Sequence, residues 1–305
     1  MAGSNPARPL ERIEHPFRLL IKIELLKGFF VSATHIIFGW YSFDMSKKRL
    51  VVGNWKMYIS SPEQAKKFVS TLRKKSRMFS GVEVVIAPPF PLLPAVLEKL
   101  KSSTIAVGAQ TVSAYDDQKR TGEVSALMLE DLGVKYTIVG HSERRATGET
   151  EEIIGMQLRQ AIAAGLTPIL CIGEKERDAA GSHFSIITQQ LTSALKIFAN
   201  LLDKTQNKPK KLRLVVAYEP VWAIGKSAGD AMKPHELREM SIFIKKTLAE
   251  NFDRATALRV PIIYGGSVEP DNARSLITDG DVNGFLVGHA SSEVNEFVDI
   301  LKACK

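Results

Sequence analysis

The stretch "AYEPVWAIG" at 217–225 places one carboxylate, Glu219, behind an apolar run and follows it at once with a proline, a tryptophan and a glycine. Polar residues punctuate other apolar runs in the same way. Asn54 and Lys56 follow "RLVVG", His141 and Glu143 follow "YTIVG", Gly265, Gly266 and Ser267 follow "PIIY", and Gly288 follows "NGFLV". Glycine-rich turns let backbone N–H groups approach a phosphate without a charged side chain. A lysine adds positive charge near the substrate, a neutral histidine can donate to a carbonyl or enediolate oxygen, and a carboxylate can take a proton from the adjacent carbon. Together they suit proton transfer next to a carbonyl on a small phosphorylated substrate. Taken singly they read more plainly: Lys56 as a surface lysine, His141 as a hydrogen-bonded structural histidine, Glu219 as half of an internal ion pair, the glycine pairs as turns. No residues have metal-ligand spacing, no Ser or Cys nucleophile is paired with a base, and Cys171 sits in an apolar run as a packing residue.

For these residues to meet, the elements that carry them must end at one place. Eight β-rich runs recur from Arg49 onward: "RLVVGNW", "VEVVIAPP", "TIAVGAQ", "YTIVGH", "TPILCIGE", "RLVVAYEP", "PIIYGG" and "NGFLVGHA". Their near-continuous apolar character, rather than strict alternation, indicates parallel strands buried on both faces. Helical patterns lie between them. In "SPEQAKKFVSTL", Ser61 can cap, Pro62 suits the first turn and Gln64 completes a capping box; "EEIIGMQLRQAIAAG" closes on Gly165, and "PHELREMSIFIKKTLAENF" opens on Pro234. Eight strand–helix units in this length predict an α/β fold, a closed (β/α)₈ barrel in a single domain. An open doubly wound sheet is the competitor, but no G-x-G-x-x-G follows the first strand. In a barrel the strand ends share one rim, so residues spread widely along the chain converge there.

Bulk properties agree. The chain has 305 residues, 45% hydrophobic, with a formal net charge of +8. Residues 1–44 hold five basic against four acidic residues, so nearly all of that charge belongs to the remainder, where it favours anionic ligands. "KKSR" at 74–77 and "KPKKLR" at 208–213 are short and lack interleaved aromatics, which argues against nucleic acid. Two cysteines, Cys171 and Cys304, make no disulfide framework and indicate a reducing, cytoplasmic setting. The apolar run at 28–43 is short for a membrane span and contains His35, while nearby acids count against a targeting peptide. Residues 1–44 are therefore expected to be an N-terminal extension, non-native or disordered or translated from an upstream start, ahead of a barrel domain at 45–305.

"GNWKM" (53–57), "GHSERR" (140–145), "AYEPVWAIG" (217–225) and "YGGSV" (264–268) occur in that order and closely resemble the triosephosphate isomerase family, in a bacterial-type version. The resemblance implies a TIM barrel enzyme of glycolysis and gluconeogenesis that interconverts dihydroxyacetone phosphate and glyceraldehyde 3-phosphate without a cofactor. Position by position it makes Glu219 the base, His141 a neutral electrophile beside a helix N-terminus, Lys56 the electrostatic partner of phosphate and enediolate, and Asn54 a positioning amide. It makes Ser142 and Glu143 supporting residues, and Gly225, Ser267, Gly288 and His289 the backbone that binds phosphate. Pro220, Val221 and Trp222 become the stiff hinge of a lid whose tip is Ala223, Ile224 and Gly225. The loop from Gly108 to Ser125 is implied to insert into a second subunit of a homodimer, bringing Thr121 near that subunit's Asn54 and Lys56. Three places depart from the family pattern. "KSAGDAMKP" replaces a Gly-, Thr- and Lys-containing hinge and runs about two residues longer before Pro234; Gly288-His289 replaces Gly-Gly, which suits backbone binding if φ stays negative; and "ATGET" is one residue short before Glu149.

Overall fold

The computed structural model describes residues 49–117, 119–203, 213–226, 231–252 and 254–305. The extension at 1–44 and most of "KSAGDA" lie outside the described residues. Each β-rich run contains one strand: β1 (Leu50–Asn54), β2 (Glu83–Ala87), β3 (Ala106–Ala109), β4 (Tyr136–Val139), β5 (Thr167–Ile172), β6 (Val215–Tyr218), β7 (Ile262–Tyr264) and β8 (Gly284–Val287). They pair in parallel in chain order, and β8 returns to β1 with Leu50 opposite Gly284 and Gly53 opposite Val287, closing the barrel.

Helices α1 (Pro62–Lys74), α2 (Leu93–Leu100), α3 (Ala126–Leu132), α4 (Ser142–Ala146), α5 (Glu151–Ala163), α6 (Ser182–Asp203), α7 (Pro234–Asn251), α8 (Arg254–Arg259), α9 (Pro270–Asp279) and α10 (Val294–Ala303) occupy the connections. Local chemistry explains their starts. Ser61 Oγ accepts from the Gln64 N–H at 3.2 Å with Pro62 opening α1, and Thr150 caps α5 in the same manner. In α1, Ala65, Phe68, Val69 and Leu72 are buried, the spacing of one helical face turned to the strands.

The apolar interior forms two layers. A small cluster holds alternate strand residues, among them Leu50, Val52, Val85, Ala87, Ile138, Ile169, Cys171, Val215, Ala217, Ile263 and Leu286, and fills the barrel. The intervening residues, such as Val51, Ile86, Leu170 and Val216, join the helices in the larger cluster outside. Strand side chains alternate with a period of two, so the inner set also fixes which residues look into the barrel's mouth.

Candidate active site

Continuing the inner series by one step past each strand reaches the rim: Asn54 on β1, Gly173 after β5, Glu219 after β6, Gly265 after β7 and Gly288 after β8. Two polar side chains therefore project where glycines leave space. His141 falls one residue off this parity. Gly140 adopts φ 69°, a left-handed turn that redirects the chain between β4 and α4. The result is one cavity of about 190 Å³, whose lining includes Asn54, Lys56, His141, Glu219, Gly225, Ser267, Gly288 and His289.

Glu219 is 1% exposed. Its Oε2 accepts from the Ser142 N–H at 3.0 Å, while Oε1 lies 3.5 Å from His141 Nε2 and has no hydrogen-bond partner among the described residues. The carboxylate is thus held by one oxygen and uncommitted at the other. His141 Nδ1 accepts from the Glu143 N–H at 3.2 Å, an interaction that occupies its lone pair and leaves the ring proton on Nε2, toward the cavity. Lys56 Nζ bonds Glu143 Oε1 at 2.6 Å. Burial raises the Glu143 carboxyl, but the hydrogen bond and charge of Lys56 outweigh it and hold the carboxyl below its usual range.

Lys56 has φ 44°, a left-handed conformation that a non-glycine residue adopts at a cost of about 1–3 kcal/mol. Its neighbours hold it there. Its N–H donates to Asn54 Oδ1 at 3.1 Å, and Gln110 Nε2 donates to its carbonyl and to that of Ala87, both at 3.0 Å. The preceding Trp55 is fully buried edge-on against Phe68, with ring centroids 5.0 Å apart. The β1 loop is therefore anchored on both sides of the lysine.

The segment after Glu219 is tied at both ends. Residues Val221–Ala223 form a 3₁₀ turn, and the Val221 N–H donates to the Glu174 carbonyl at 2.9 Å. Glu174 is fully buried, and its carboxylate accepts from Trp222 Nε1 at 2.9 Å, the Tyr218 hydroxyl at 2.8 Å and Arg177 Nε at 2.9 Å. Three donors, one of them cationic, offset the cost of burying that charge. At the far end, Ser267 Oγ donates to the Ala223 carbonyl and accepts from the Lys226 N–H, each at 3.0 Å. Ile224 and Gly225 line the cavity beside Ser267, whereas Pro220, Val221, Trp222 and Ala223 form the base of this flap. Ser142 and Glu143 hold Glu219 and Lys56 from just outside the cavity; Thr121 is exposed in a turn away from it.

Cys171, beneath the rim, is buried, and burial followed by the nearby Glu219 charge pushes its thiol far up; burial likewise pushes the Cys304 thiol up to about 12. Neither is a poised nucleophile.

Residues 49–304 match the family model described as triosephosphate isomerase. Among curated proteins, the chain is 42% identical to the triosephosphate isomerase of Carboxydothermus hydrogenoformans, over 84% of this chain and 98% of that protein. It is 40% identical to that of Thermus thermophilus, over 84% of this chain and 98% of that one, and 40% to that of Chlamydia trachomatis, over 84% and 89%. The chain belongs to the triosephosphate isomerase family.

Two of the three departures from that family's pattern fall on described residues. His289 keeps a negative φ, a backbone conformation open to any residue type. The shortened turn still brings Glu149 Oε1 to Arg144 Nη2 at 2.8 Å and to Gln157 Nε2 at 3.0 Å, which braces the helix behind His141. Of the residues that hold the triosephosphate isomerase site, motif reading passed over Glu174, Arg177, Tyr218 and Gln110. Glu174 was within reach, because it ends the run "TPILCIGE" as Glu219 ends "RLVVAYE". Gly173 beside it also has a defined role. A Cβ there would overlap the carbonyl of Glu219, so Gly173→Ala must push the β6 end outward. A loss of about 2–3 kcal/mol in thermal unfolding is expected, with a larger fractional loss of activity; wild-type stability would contradict the close approach.

Proposed function

We propose that this chain is a triosephosphate isomerase, an intramolecular aldose–ketose isomerase in which Glu219 and His141 interconvert dihydroxyacetone phosphate and D-glyceraldehyde 3-phosphate through an enediolate. The observation that carries this reading is the uncommitted Glu219 Oε1, 3.5 Å from the proton-bearing Nε2 of His141, inside a cavity edged by Gly225, Ser267 and Gly288. Glu219 takes a proton from the hydroxyl-bearing carbon beside the carbonyl, and His141 Nε2–H donates to the carbonyl oxygen as negative charge develops. Glu219 then returns the proton to the neighbouring carbon while the hydroxyl proton moves back through His141. Hydrogen moves only within the substrate, so the reaction balances without a redox partner. The Lys56 ammonium faces both the phosphate and the developing oxyanion, and backbone N–H groups at Gly225, Ser267, Gly288 and His289 anchor the phosphate.

Assembly as a homodimer in the cytoplasm belongs to the same proposal. Met57 at 88% exposed, Leu127 at 70% and Met128 at 59% are apolar side chains that a second subunit would cover, next to the loop from Gly108 to Ser125. Activity that falls on dilution, in step with dissociation in sedimentation, supports this; full activity as a monomer contradicts it.

A coupled isomerase assay on the full chain with both triose phosphates tests the whole reading, and Lys56→Met tests its electrostatic part. One cation serving phosphate and oxyanion should raise KM and lower kcat together, with kcat/KM down by about 10²–10³-fold. A variant that changes only thermal stability would make Lys56 structural.

A further inference from the structure

At the position after Gly288, where the family pattern has a second glycine, this chain carries an imidazole. His289 lines the same cavity, and the ring of Tyr58, which leaves the β1 loop, meets it edge-on with centroids 5.3 Å apart and 89° between planes. Glu269 lines the cavity from the neighbouring loop, after β7, its backbone fixed by a 2.9 Å hydrogen bond from its N–H to Asn272 Oδ1 at the start of α9. A carboxylate at the mouth of a phosphate site opposes the ligand unless it is neutralised or paired. Burial, then the charge of Glu296 on α10, pushes the Glu269 carboxyl above its usual range; the charge of His289 acts the other way, and Asp271 adds to the rise. The other charged or titratable groups that line this cavity are Lys56 from the β1 loop, His141 after β4, Glu219 after β6 and Lys226 next to Gly225. A Cβ on Gly288 would lie 3.9 Å from Lys56 Nζ, so the cation of the site sits immediately beside this corner.

We propose that the His289 side chain is an additional phosphate-recognition group of this isomerase, which offsets Glu269 when protonated and makes the phosphate subsite bind dianions more tightly under mildly acidic conditions. The inference rests on the isomerase reading above and adds a second side chain to a subsite otherwise built from backbone N–H groups and Lys56. An imidazole gains a positive charge with its second proton, so the contact strengthens when His289 is protonated. The raised Glu269 carboxyl acts in the same direction, because a protonated Glu269 no longer opposes the anion.

Inorganic sulfate is the probe, because it remains a dianion throughout the range and its own protonation does not enter. Its dissociation constant is measured by calorimetry and, independently, as a competitive inhibition constant, at about pH 6 and about pH 8.5. Wild type should bind about tenfold more tightly at the lower pH, the worth of one unit charge at such a distance in a partly screened site. His289→Gln should bind weakly and lose most of that dependence, and His289→Lys should bind tightly at both values. An imidazole that merely packs on Tyr58 would make the two variants move together. Equal pH slopes in wild type and His289→Gln, or no sulfate binding at all, overturn the proposal. Sulfate binding with the expected slope in a protein that does not isomerise triose phosphates would instead overturn the isomerase reading and leave the anion contact standing.

Discussion

Glu219→Asp should keep the fold and lose about a hundredfold or more in kcat, because a displacement of about 1 Å at the reacting group costs that much. The acid would still be anchored, since the Glu219 backbone N–H bonds the Ile172 carbonyl at 2.7 Å and is unaffected by side-chain length. What shortens is the reach of the carboxylate. In the native site Oε2 is held by the Ser142 N–H, and the Glu219 Cγ fills space that only a glycine at 265 leaves, since a Cβ there would come within 2.7 Å of it. Steady-state kinetics beside a thermal melt decide the matter: kcat within twofold of wild type would remove Glu219 from the role of base, and a large drop in melting temperature would assign the loss to folding.

The second large effect concerns the flap. Replacing Val221–Ile224 with a short glycine bridge should leave the barrel folded, because β5, β6 and β7 pair below this segment, from Ile169 opposite Val215 to Tyr218 opposite Tyr264. Isomerisation should fall steeply, and the methylglyoxal released per turnover should rise. An enediolate carrying a phosphate on the next carbon can expel it, and exclusion of water with a fixed geometry is what lets reprotonation win. The deletion removes the Trp222 N–H from Glu174 and the Ala223 carbonyl from Ser267, so about 1–3 kcal/mol of stability is expected to go with it. Partitioning separates these effects, because a destabilised but closed site loses total activity without changing its product ratio. An unchanged methylglyoxal fraction would make the segment a static wall and Trp222 a packing residue.

Much of this molecule is legible in the chain itself. Each strand falls inside a β-rich run, since a strand buried on both faces must be apolar along its length and the turns that end it must be polar or glycine. The Ser61 cap and the Pro62 and Pro234 helix starts are equally local, because they depend on hydrogen bonds and φ preferences within one turn. The candidate site residues stand out for a related reason: a barrel gathers its strand ends, so Asn54, Lys56, His141 and Glu219, the polar residues where apolar runs stop, line one cavity. What the tertiary structure alone decides are relations between segments far apart in sequence. The left-handed Lys56 is sustained by Gln110, 54 positions away, and nothing in "GNWKM" announces that strain. Glu174 reads alone as one more strand-end acid, and becomes the clasp of the flap only when β5 and β6 lie side by side and deliver Tyr218 and Trp222 to it. The meeting of His289 with Tyr58, and the presence of Glu269 in the same cavity, depend in the same way on closure of β8 against β1 and on the neighbouring β7 loop. Sequence patterns record the period and polarity of each segment; which side chains share a cavity is set by the register and closure of the barrel, which no single segment contains.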